Sequence, residues 1–325
     1  MPRIYYTANN YNNPFDHINT NGERFIRCRK LDLYRSIITV GSPTFVSWRA
    51  IRQNGLFRTI STAIIQKALL VQANIVSSPI GMNLHPIFNG YISDQKRIVS
   101  YNLGMAFAKI YAERLLNIPN LTHLETLKKI NAVTFVKQSG KSKEPDLVGM
   151  TSNGDWHVFE AKGMSTNKLS SEIVVAKNQA NQIATIHGQA PTSLSACATY
   201  LGPNRILSLI EDPESGEEKS IELKKDKFYE GYYNSFFALR ELINQKSKQT
   251  RFENIEFQSF DIRTDKLNLT IGLETEVYEL LQEKNYELIV EFYASKRNTN
   301  QISDGLEQEE ISIGQDGFIV KYLNY

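Results

Sequence analysis

An α/β fold, a mixed sheet flanked by helices, is predicted by three observations. Residues 100–117 carry Leu103, Phe107, Ile110, Ala112, Leu115 and Leu116, a broad apolar face at helical spacing, and Pro119 lies just past the end. Two β-type runs, Asp146 to Met150 and Trp156 to Ala161, flank an Asn153-Gly154 turn. Residues 171–188 then read as a helix, with Ile173, Ala176, Ala180, Ile183 and Ala184 on one face, and strands follow near 193–200 and 205–210. Elements alternating in this way lay helices against a sheet.

The remaining elements follow in chain order. Residues 1–58 read as irregular structure with a strand or two. Ile60, Ile64, Ala68 and Val71 predict a helix over 59–76, and Pro79, Gly81, Pro86 and Gly90 mark a loop after it. A short helix around Thr122 to Lys129 leads into a strand over Ala132 to Val136. The turn-rich acidic run Glu211 to Glu218 is the best candidate boundary. Beyond it the pattern predicts helices over Phe228 to Ile243 and near Glu274 to Glu283. Strands are expected over Asn254 to Ile262, Tyr286 to Tyr293 and Gly317 to Tyr322. No internal repeat is present.

A chain of 325 residues suits one large domain or two to three small ones. No run approaches the ~20 apolar residues that span a bilayer, and the N-terminal residues lack the apolar core of a signal peptide. Cys28 and Cys197 match no metal or redox spacing, as expected of reduced thiols in a cytoplasmic protein. The net charge of +2 hides a gradient. Residues 1–131 hold 16 Lys and Arg against 6 Asp and Glu, whereas residues 191–325 hold 15 against 24. A basic front third would attract a phosphate backbone; scattered solvating charge is the plainer alternative. In that third Arg24, Phe25, Arg27, Arg29, Tyr34, Arg35, Trp48, Arg49, Arg52, Phe57 and Arg58 interleave cations with rings. Such a mixture suits nucleic-acid contact as well as it suits an ordinary amphipathic surface.

The chemistry concentrates in Glu144 to Gly163, where Asp146, Glu160 and Lys162 stand out. Two carboxylates brought together can hold a hard cation such as magnesium, which takes oxygen ligands and keeps several waters. Lys162 follows Glu160 by two residues, so on a strand both point to one side. A carboxylate and an ammonium side by side suit a site where a divalent cation activates water for attack on phosphorus and the lysine stabilises the anion. Hairpin geometry constrains this reading. With a two-residue turn at Asn153-Gly154, Asp146 would face Ala161 and the two acids would lie on opposite sides. A three-residue loop, Ser152-Asn153-Gly154, with Gly154 left-handed, puts Asp146 opposite Glu160. The three-residue loop, or a bulge near Asp146, is therefore expected.

Pro145-Asp146, a spacer, and Glu160-Ala161-Lys162 resemble the signature of the PD-(D/E)XK nucleases, the restriction-endonuclease-like superfamily. The bare pattern is weak, but the predicted order of helix, three strands, helix and strand matches the family core. The resemblance covers roughly residues 98–210. Together with the charge distribution it divides the chain into three regions: a basic region 1–97 suited to nucleic-acid contact, a nuclease core 98–210, and an acidic α/β region 211–325 with an assembly or regulatory role. It implies magnesium, or manganese, held by Asp146, Glu160 and the backbone carbonyl of Ala161, with Lys162 beside the attacking water. Many members add a glutamate from the first helix, for which Glu113 is the better candidate and Glu125 the weaker. Members also often place Gln or Lys on the following helix, where Lys177, Gln179 and Gln182 are available, though a plain helix surface accounts for each more simply.

Function follows as an expectation by analogy. The chain would be a metal-dependent endonuclease acting on double-stranded DNA, in restriction or anti-phage defence, as a homodimer or with a partner protein and without a membrane. RNA, branched or single-stranded DNA, or a non-cutting scaffold are the alternatives. The five histidines have no metal-ligand spacing, and His157 should point away from Glu160. Trp156 shares the parity of Glu160 but lies near the turn, where packing is expected. No Walker loop is present, since Phe135 stands where its upstream glycine belongs.

Overall fold

The computed structural model describes residues 2–40, 56–78, 81–137, 143–151, 153–213, 219–243, 248–252, 254–263, 267–297 and 311–323. The N-terminal part holds β1 (Arg3–Asn9), β2 (Arg24–Arg27), α1 (Lys30–Thr39), α2 (Leu56–Asn74) and a short hairpin of β3 (Ile75–Ser77) and β4 (Met82–Leu84). Next come α3 (Ser93–Leu116), β5 (Asn120–His123), α4 (Leu124–Lys129), β6 (Val133–Lys137), β7 (Leu147–Met150) and β8 (Trp156–Met164). They are followed by α5 (Leu169–Ala180), β9 (Ile183–Ile186), β10 (Ser193–Leu201), β11 (Ile206–Glu211) and β12 (Lys219–Leu223). The C-terminal part comprises α6 (Lys225–Ile243), β13 (Lys248–Phe252), β14 (Ile255–Arg263), β15 (Asn268–Glu274), α7 (Thr275–Gln282), α8 (Tyr286–Arg297), β16 (Ile311–Ile313) and β17 (Phe318–Tyr322).

The fold is mixed α/β, with a mixed central sheet flanked by helices. Seven strands run in the order β2-β1-β11-β10-β8-β7-β5. The β1–β11 and β8–β10 pairs are parallel and the others antiparallel. Helix α3 covers one face. Its Asp94 and Arg114 match the helix dipole at the two ends, and left-handed Asn117 closes it as Ile118 N–H returns to the Ala112 carbonyl. The helix touches β8 where Gly104 meets Gly163: a Cβ on Gly163 would overlap the Ser100 carbonyl. Helix α5 covers the other face, packing Leu169, Ile173 and Ala176 against Ala196 and Ala198. Among the described residues no helix is long and apolar enough to cross a membrane.

Residues 30–39, in a stretch read as irregular with a strand or two, form helix α1, and other elements differ as well. The run near 132–136 forms β6, but β6 pairs with β12 in a separate sheet of order β6-β12-β9. The strand beside β7 in the central sheet is instead β5, whose four residues are all buried and show no alternation. The helix expected over 171–188 stops at Ala180, and Ile183–Ile186 joins β12 as a strand. The strand expected over Tyr286 to Tyr293 is helix α8. Its buried Ile289 and Phe292, with part-buried Tyr286 and Val290, fit helical spacing better than alternation.

Strand pairing crosses both boundaries drawn from composition. β1 lies against β11, so residues 3–9 complete the central sheet, and β12 of the acidic region pairs with β6. The acidic region also builds a sheet of order β13-β14-β15-β17-β16. A buried charge network joins it to the rest. Arg35 on α1 meets Glu113 of α3 at 2.9 Å and Asp316 at 3.5 Å, and Lys109 meets the same Asp316 at 3.4 Å.

Candidate active site

The hairpin that carries the acids has the three-residue connection. Thr151 N–H donates to the Asp155 carbonyl at 3.0 Å, Gly154 N–H donates to the Thr151 carbonyl at 3.0 Å, and Gly154 takes φ 84°. Ser152 itself lies outside the described residues. The register then pairs Leu147 with Phe159 and Met150 with Trp156, so the next position brings Asp146 opposite Glu160. Asp146 N–H donates to Glu160 Oε2 at 2.9 Å. β7 begins at Leu147, while β8 runs on to Met164, so Ala161 to Met164 have β10 but not β7 beside them.

Glu160 is fully buried, and Asp146 shows only 12% of its side chain to solvent. The Asp146 carboxylate accepts a hydrogen bond from the Ala161 backbone N–H, yet its Oδ2 is buried without a hydrogen-bond partner. Burial, and then the neighbouring Asp146 charge, push the Glu160 carboxyl up to about 7 despite Lys162 beside it. Burial likewise raises Asp146 against the attraction of Lys143 and Lys162. Lys162 Nζ donates to Glu160 and to Gln179 of α5. Lys143, largely exposed, has its Nζ 3.8 Å from both Asp146 Oδ1 and Glu160 Oε1. An orphaned carboxylate oxygen beside a second carboxyl that resists ionisation is a pocket suited to a small, hard cation. Among the described residues no group of three His, Cys, Asp and Glu side chains is gathered for a metal. Backbone oxygen or water must complete any such shell, which suits magnesium better than zinc.

Asp146, Glu160, Lys162 and Gln179 come together. Glu113 does not join them. It sits buried between Arg35 and the Gln315 backbone N–H, which it accepts at 2.8 Å. Against burial, Arg35 and Lys109 hold its carboxyl below the usual carboxylate range. The α3 residue that senses the two acids is Tyr101: burial, then the Asp146 and Glu160 charges, push its hydroxyl upward. Tyr101 and Glu113 stand twelve residues apart on α3, roughly 18 Å at the helical rise. The Gly104–Gly163 crossing, which tertiary packing sets, decides that Tyr101 rather than Glu113 lies near the strand that carries Glu160.

Other candidates have ordinary partners. Glu125 pairs with Lys129, Lys177 pairs with Glu211 at 2.8 Å, and Gln182 donates to the Asn178 carbonyl. His157 points to the opposite face and bonds Ser193 through Nδ1 at 2.9 Å. Trp156 packs edge-on against Phe228 at 5.0 Å. Trp48, Arg49, Arg52 and the side chains of Phe57 and Arg58 lie outside the described residues.

Comparison with protein-family models, curated proteins and solved structures finds no match. The chemistry of the site therefore rests on its own geometry. That geometry brings together two buried carboxyl groups, a lysine held beside them by Glu160 and Gln179, and the exposed basic side chain of Lys143.

Proposed function

We propose that the chain is a metal-dependent endonuclease of the PD-(D/E)XK type that hydrolyses phosphodiester bonds in DNA. The observation that carries the reading is the unpartnered, buried Oδ2 of Asp146 directly opposite Glu160, with Lys162 on the same strand face. Asp146, Glu160 and the Ala161 carbonyl would hold magnesium. Bound there, magnesium lowers the pKa of water and neutralises charge that develops on phosphate oxygens. The chain's own residues do the rest. Lys162, anchored by Gln179, offers an ammonium to a phosphate oxygen and to the anion that develops in the transition state. Lys143 draws the polyanion toward the cleft.

Incubation of supercoiled plasmid, linear duplex, single-stranded DNA and RNA with magnesium or with a chelator tests the reading. The expected result is DNA cleavage that needs the divalent ion and is lost in Asp146→Asn and Lys162→Ala. Cleavage that persists in both variants removes the proposed centre. Nucleic-acid binding without cleavage of any substrate makes the chain a scaffold, and cleavage confined to RNA moves the substrate.

A further inference from the structure

Two groups stand out among the described arginines and rings of the N-terminal region. Arg29, Tyr34 and Arg35 turn inward, Arg29 to Asp32, Tyr34 to Gln72 and Arg35 to Glu113. The other group lies in the open. β1 pairs with β2 so that Arg3 faces Arg27 and Tyr5 faces Phe25, which sets all four on one side of the sheet. The Arg3 guanidinium sits 4.3 Å from the centre of the Phe25 ring. Tyr5 and Phe25 meet edge to face at 6.4 Å, and Arg205, just before β11, lies 5.7 Å from the Tyr5 ring. Phe25 is 46% exposed on the outermost strand.

Register carries this patch across the sheet to the candidate active site. Tyr5 pairs with Leu207, Leu207 with Tyr200, and Tyr200 with Met164. Tyr5 therefore shares a face with Met164, and by alternation with Lys162 and Glu160. Helix α5 packs on β8, β10 and β11 over that face. β1 and β2 extend beyond it, with β1 roughly 14 Å from β8 at ordinary strand spacing.

We infer that this arginine–aromatic face of β1 and β2 is a stacking platform for a single-stranded stretch of nucleic acid. Charge and shape select the occupant. Arg3, Arg27 and Arg205 supply cations, of which Arg205 pairs with Glu23 at 2.8 Å. Arg3 covers one face of Phe25, so a base stacks on the other and its phosphates reach the neighbouring guanidinium groups. The bases of a duplex are already stacked and cannot lie on Phe25, so the platform discriminates between strand states. The assignment goes beyond the proposed cleavage and stands independently of it.

Fluorescence anisotropy of the full chain, in chelator so that nothing is cut, tests the platform with a labelled oligothymidylate and a blunt duplex of equal length. Phe25→Ala is expected to weaken oligothymidylate binding roughly 5- to 150-fold, the range for loss of one stacking partner. Its duplex binding should be unchanged. Phe25→Trp restores a stacking face and should keep wild-type affinity, which separates lost stacking from lost folding. Arg3→Gln should reduce the slope of log affinity against log salt by about 0.7 for the single strand. Equal losses on single strand and duplex would overturn the inference. So would unchanged binding by Phe25→Ala, or a polyglutamate peptide that competes for the face as well as the oligonucleotide does.

Discussion

Asp146 donates its backbone N–H to the Glu160 carboxylate at 2.9 Å, although the two are 14 residues apart in sequence. Their meeting depends on the length of one turn. The Thr151–Asp155 bond closes a three-residue connection, and Gly154 at φ 84° supplies the left-handed residue that this connection needs. Deleting Asn153 would shift the register by one and turn Asp146 to the opposite face. The expected outcome is loss of manganese binding by calorimetry in a chain that still folds. Gly154→Ala keeps the register but strains the turn, and should cost about 1–2 kcal/mol in chemical denaturation while metal binding survives.

Lys162 is held from two sides, by Glu160 and by Gln179. Lys162→Ala should lower the cleavage rate by about 10²–10³-fold, the usual loss on removing one transition-state donor. Gln179→Ala leaves the ammonium in place but loosens it, and a loss of about tenfold is expected. Single-turnover cleavage at saturating magnesium measures both. Equal losses would mean that Gln179 touches substrate itself.

Glu113 belongs to stability. It is buried against Arg35, Lys109 and the Gln315 N–H, so Glu113→Gln leaves the buried Arg35 and Lys109 charges to share Asp316. A cost of roughly 3–5 kcal/mol is expected, the range for breaking a buried pair from one side. Cleavage per folded molecule should stay at the wild-type rate. A variant of unchanged stability with weakened metal binding would return Glu113 to the active site.

Acid should weaken the fold through two histidines. Burial pushes His157 down to about 3, and burial with the Lys67 charge does the same to His123. Both are neutral in the fold at pH 7, whereas in the unfolded chain they take up protons below about 6.5. The unfolded state therefore binds more protons between about pH 6.5 and 3, and stability falls as pH falls through that window. His157→Gln should reduce the pH slope by up to one proton in urea denaturation at a series of pH values, whatever its effect at pH 7. An unchanged slope would show that His157 is protonated in the fold.

The fold class and the carboxylate pair are legible in the amino-acid sequence itself, because their signals are local. Leu103, Phe107 and Ile110 repeat at helical spacing along α3. The Asn153-Gly154 turn marks the hairpin, and Asp146, Glu160 and Lys162 carry their chemistry in their identities. Even the length of the connection follows from requiring both acids on one face.

Tertiary packing decided what local signals could not. β5 took the place expected of β6 because its residues, Asn120, Leu121, Thr122 and His123, are mostly polar yet fully buried, so their hydropathy does not announce a central strand. Glu113 was drawn into the interior by Arg35 and the Gln315 backbone N–H, which lie 78 and 202 residues away from it and become neighbours only once the chain packs. The same packing sorted the arginines of the first thirty-five residues. Arg35 turned inward to buried acids, while Arg3 and Arg27 stayed on an open strand face, a difference set by which side of an element each residue occupies.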